Sequence, residues 1–67
     1  MSEEFNMSMR KFLKQVGVTS QQAIEKAMRE AGAEKTAGKS FKATVVLKVD
    51  DLDLTHEIEG KIAGKGD

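Results

Sequence analysis

The chain has 67 residues, 11 basic and 11 acidic side chains with a formal net charge of zero, and neither cysteine nor proline. This length excludes a second sizeable domain, and the missing cysteines exclude disulfides, thiolate metal sites and a thiol nucleophile. Neutral charge removes any bulk electrostatic reason to expect nucleic acid or an anionic membrane as partner.

A core this small is thin, because chains of this size bury only about 60% of the surface they expose when unfolded. Association would therefore add to stability. The opening Met1-Ser2-Glu3-Glu4 is acidic where a signal peptide would be basic, and no apolar run approaches the roughly 18 residues of a membrane span. The expectation is a cytoplasmic protein. Residues 1–39 carry seven Lys/Arg against five Glu, and residues 40–67 four Lys against six Asp/Glu, a weak dipole along the chain.

In the first segment Phe5, Met9, Phe12, Leu13 and Val16 recur as one stripe of an α-helix, with Arg10, Lys11, Lys14 and Gln15 opposite. Asn6 offers an N-cap, with Ser2 ahead of Glu3 and Glu4 as a rival start. Gly17 is the expected stop, which predicts a helix over about 6–16. Thr19-Ser20-Gln21-Gln22 then reads as a capping box opening a second helix over about 20–31. Its inner residues are Ala23, Ile24, Ala27, Met28 and Ala31, with a Glu25–Arg29 pair outside and Gly32 at the end.

Ala33 to Ser40 shows no periodicity and reads as a linker. From Phe41 the period becomes two. Phe41, Ala43, Val45, Leu47 and Val49 share one face of a strand over about 41–49, and Leu54, His56, Ile58, Gly60 and Ile62 one face of a strand over about 54–62. Pairing Val49 with Leu54 sets Leu47 beside His56, Val45 beside Ile58 and Phe41 beside Ile62, so both apolar faces coincide. No Asn-Gly or Asp-Gly defines the turn at Asp50 to Asp53. The expected fold is α+β, an ααββ domain over 1–63 in which a two-helix hairpin packs on one face of an antiparallel β-hairpin. Residues 64–67 are expected to form a disordered tail.

Three patterns invite a functional reading. Ala33-Glu34-Lys35-Thr36-Ala37-Gly38-Lys39-Ser40 fits a relaxed P-loop, but it follows a helix and precedes a strand, the reverse of the order that cradles phosphates. Phe12 to Met28 resembles a helix-turn-helix. On that reading Gln21, Gln22 and Arg29 would address a major groove, and Arg10, Lys11 and Lys14 would hold phosphates. Glu25 and Glu30 oppose it with negative charge. His56 falls in phase with Leu54 and Ile58, and is expected to pack at the core face with no ligand cluster around it. No catalytic constellation, cofactor site or metal site emerges.

The stretch from Phe5-Asn6-Met7-Ser8-Met9-Arg10-Lys11-Phe12-Leu13-Lys14-Gln15-Val16-Gly17-Val18-Thr19-Ser20-Gln21 through Ile24-Glu25-Lys26-Ala27 resembles the N-terminal signature of a family of short bacterial proteins with no assigned function. The likeness extends more loosely to Leu54-Thr55-His56-Glu57-Ile58-Glu59-Gly60. It implies a bacterial, cytoplasmic, stand-alone domain and brings no activity, ligand or site. The sequence thus points to a non-enzymatic protein-interaction module that pairs with an unidentified protein or with a second copy through exposed hairpin edges, with nucleic-acid binding as the alternative.

Overall fold

A computed structural model describes residues 2–64 of the chain. The element order is α1 (Glu3–Ala31), α2 (Ala33–Thr36), β1 (Ser40–Val49), a single 3-10 turn (Asp50–Leu52) and β2 (Leu54–Ala63). The α+β class and the ααββ order hold. The chain divides between Ala31 and Gly32 into two compact units.

The first unit is α1, one helix of 29 residues. Ser2 caps it: the Phe5 amide donates to Ser2 Oγ at 3.1 Å, and the Asn6 amide donates to the Ser2 carbonyl at 3.2 Å. Glu3 and Glu4 occupy the first turn and Arg29 the last, each complementing the helix dipole. Asn6 is therefore inside the helix, and the rival start at Ser2 is the real one.

The expected two-helix hairpin does not form, because the helix runs through Gly17 without interruption. Gly17 is not among the residues with positive φ, so it does not take the left-handed conformation that stops a helix. The capping box is absent for the same reason. Thr19 Oγ1 donates instead to the Gln15 carbonyl one turn back, at 2.7 Å, satisfying the hydroxyl inside a continuous helix. Gln21 Nε2 donates to Glu25 Oε2 at 3.3 Å along the same surface. The helix does end before Gly32, whose φ of 88° leaves the helical region.

The second unit begins with the single turn α2, where a linker was expected. The Lys35 and Thr36 amides and the Thr36 hydroxyl all donate to the Gly32 carbonyl, at 3.1, 3.2 and 3.1 Å. Thr36 is only 5% exposed. Strands β1 and β2 then pair antiparallel in the predicted register: Val49 with Leu54, Leu47 with His56, Val45 with Ile58 and Phe41 with Ile62. The turn is a 3-10 segment followed by Asp53 in the left-handed region, φ 51° and ψ 35°, with the Asp53 amide donating to the Asp50 carbonyl at 3.1 Å. Asp tolerates this conformation better than most residues with a Cβ.

Gly64, expected in a disordered tail, is buried and closes the base of the hairpin. Its amide donates to the Lys39 carbonyl at 2.7 Å, and a Cβ built on it would overlap the Thr36 carbonyl. Positions 65–67 of that expected tail lie outside the described residues. Among the described residues neither unit buries an apolar side chain.

Candidate functional site

The residues that sequence reasoning assigned to a nucleic-acid surface, Arg10, Lys11, Lys14, Gln21, Gln22 and Arg29, all lie on α1. They do not form a helix-turn-helix, because the turn between the two expected helices is itself helical. A reading helix presents its own N-terminal turns to base edges while a second element holds the backbone. Here the six residues are strung along one rod, with Arg10 and Arg29 about 29 Å apart along the axis. Glu25 sits among them and takes the hydrogen bond of Gln21.

The relaxed P-loop string is spread over α2, a turn through Gly38 (φ 74°) and the start of β1. One turn of helix carries too few free amides and too small a dipole to make an anion site. His56 is exposed on β2 opposite Leu47, where a packed core position was expected. Among the described residues no three His, Cys, Asp or Glu side chains converge to hold a metal ion. The three aspartates of the turn, Asp50, Asp51 and Asp53, are exposed to solvent at the hairpin tip.

What the structure does bring together is apolar surface. With 3.6 residues per turn, Phe5, Met9, Phe12, Leu13 and Val16 continue in phase through Ser20 into Ala23, Ile24, Ala27 and Ala31, one stripe along the whole of α1. The large members stand open to solvent: Met9 is 41%, Leu13 47% and Phe12 51% exposed. The opposite side carries mainly polar residues with Met7 and Val18 exposed among them, and a shallow open depression runs along Glu3, Glu4, Met7, Ser8 and Lys11.

The hairpin is also two-faced. Phe41, Val45, Leu54 and Ile58 are exposed on the apolar face, alongside half-buried Ala43, Leu47, Val49 and Ile62. On the other face Lys42 lies directly opposite Lys61, and its ammonium turns diagonally to Glu59 Oε2 at 3.3 Å, easing the like-charge pair. Both partners are well exposed, so this ion pair contributes little to stability. Val46 opposite Glu57 is the one large apolar residue on that face. With two strands, each strand has one edge free of sheet pairing.

A family model described as "Family of unknown function (DUF6494)" matches residues 1–65. The chain belongs to that family. The match spans both units, so the long helix and the hairpin are together the family's domain. No curated protein and no solved structure matches the chain. No helix among the described residues is long and apolar enough to cross a membrane.

Proposed function

We propose that this chain is a non-enzymatic, cytoplasmic protein-interaction module that works by self-association into a homodimer. One observation carries the reading: α1 presents an apolar stripe, interrupted at Ser20, whose large side chains stand in solvent. An isolated helix draws little stability from propensity alone, and an isolated hairpin is marginal in water. Apolar surface of this extent on a helix is buried by a partner in most stable proteins.

The magnitudes favour a weak dimer. Completing the burial of Phe5, Met9, Phe12, Leu13 and Ile24 gains about 1 kcal/mol each, since full burial of such a side chain is worth about 1.5–3 kcal/mol and each is already partly covered. Two copies gain on the order of 10 kcal/mol, against an association cost of roughly 4–15 kcal/mol. At the lowest cost about 6 kcal/mol remains, which corresponds to a Kd of about 40 μM. Sedimentation equilibrium on the full chain tests it, with a concentration-dependent rise to twice the chain mass as the expected result. A single species of chain mass at high micromolar concentration would end the proposal.

A further inference from the structure

We infer that the occupant of the α1 stripe is the stripe of a second copy, laid antiparallel with the two helices crossing at the level of Val18. The inference rests on the self-association proposed above and adds its orientation and register.

The stripe positions are symmetric about Val18. Phe5 and Ala31 are equidistant from it, as are Met9 and Ala27, Phe12 and Ile24, Leu13 and Ala23, and Val16 and Ser20. An isologous antiparallel contact therefore sets each of these ten residues against another of them, with Met28 at the stripe's edge level with Ser8. Size follows the same symmetry. The N-terminal half carries the large side chains and the C-terminal half the alanines, so Phe5 meets Ala31, Met9 meets Ala27, and Ala23 makes room in the Phe12–Leu13 layer. Large meets small at three of the five levels, while Phe12 meets Ile24 beside Leu13 and Ala23, which is compatible with an interhelical distance of about 8–10 Å.

Parallel pairing loses this. Phenylalanines would stack on phenylalanines at one end and alanines on alanines at the other, forcing the helices to splay. It would also align the helix dipoles and gather both pairs of Glu3 and Glu4 carboxylates at one end. In the antiparallel pair each margin of the stripe faces the same margin of its partner. Arg10 lies on one margin and Lys26 on the other, so the two do not meet. The stripe from Phe5 to Ala31 is about 39 Å long, and covering it on two copies removes on the order of 1,200 Å², the lower end of stable interfaces.

The absence of cysteine makes a direct test possible. Met9→Cys and Ala27→Cys chains are prepared separately, checked for helix content by circular dichroism, and oxidised in a glutathione buffer, each alone and as an equimolar mixture. In the antiparallel pair two Met9→Cys positions are about 27 Å apart, far beyond disulfide reach, whereas position 9 of one copy meets position 27 of the other. The expected result is a crosslinked heterodimer in the mixture and little crosslinking of either chain alone. Crosslinking of each chain alone would establish a parallel pair and overturn the inference. Sedimentation of the unsubstituted chain keeps the two levels apart. A dimer with no crosslinks in any arm, whose association a Leu13→Glu substitution leaves unchanged, overturns the helix pairing while self-association stands. A monomer overturns both. Antiparallel pairing predicts that Leu13→Glu weakens association by roughly 100-fold, because it places two charges in the apolar seam.

Discussion

Gly17→Ala tests whether α1 is one helix. In the structure Gly17 is an interior helical residue without positive φ, and a Cβ built on it meets nothing within 4 Å. The substitution therefore adds no clash and no strain, and removes only the backbone freedom that makes glycine about 0.8–1.0 kcal/mol worse than alanine in a helix interior. The expected effect is a gain of about 1 kcal/mol, which in a domain of this size raises the melting temperature by about 4–8 °C. Far-ultraviolet circular dichroism reads both the melting temperature and the helix content. The two proteins are compared at one chain concentration, since association shifts the midpoint by mass action. A glycine terminating a helix in the left-handed region behaves oppositely, with alanine there costing about 1–2 kcal/mol. A fall in melting temperature or in helix content on Gly17→Ala would refute the continuous helix.

Two further substitutions probe the hairpin unit. Gly64→Ala drives a methyl group into the Thr36 carbonyl and breaks the hydrogen bond that the residue 64 amide donates to the Lys39 carbonyl, so it should cost about 1–3 kcal/mol. Amide exchange should show protection lost at residue 64 and retained at Asp53. Asp53→Val places a β-branched residue at φ 51° and should cost about 1–2 kcal/mol, while Asp53→Gly stays within about 0.5 kcal/mol of the original. Urea denaturation midpoints separate the two variants.

The hairpin was legible to the level of individual pairs. Period-two alternation leaves few registers, since a slip of one residue turns Phe41, Val45, Leu54 and Ile58 to the wrong side together. The helical region misled because its local signals compete. Gly17 followed by Thr19-Ser20-Gln21-Gln22 carries the chemistry of a stop and a start, yet in the fold the Thr19 hydroxyl is satisfied by the Gln15 carbonyl of the preceding turn. A signal that could have decided it was present: the stripe before Gly17 and the stripe after it keep one helical phase, which a true break would have no reason to preserve.

The remaining misreadings share a different cause. The roles of Thr36 and Gly64 depend on contacts between segments far apart in sequence, and nothing in their neighbours announces such contacts. His56 occupies the strand position its phase required, opposite Leu47, but phase sets the face of a strand and not the exposure of a side chain on it. The helix-turn-helix reading lost the turn it depended on, since Gln21 and Gln22 lie in the middle of one continuous helix.

The bond from the Gly64 amide to the Lys39 carbonyl bears on the order in which the hairpin assembles. At the tip, the turn from Asp50 to Asp53 closes a loop of four residues, whereas closing the base first would enclose the 24 residues between Lys39 and Gly64. The longer closure costs roughly 1.6 kcal/mol more in chain entropy. Zippering thus starts at the aspartates and runs toward the base on the scale of about 1–10 μs. Gly64 joins last, and in unfolding its amide is the first to be released, so this single glycine acts as the clasp of the second unit.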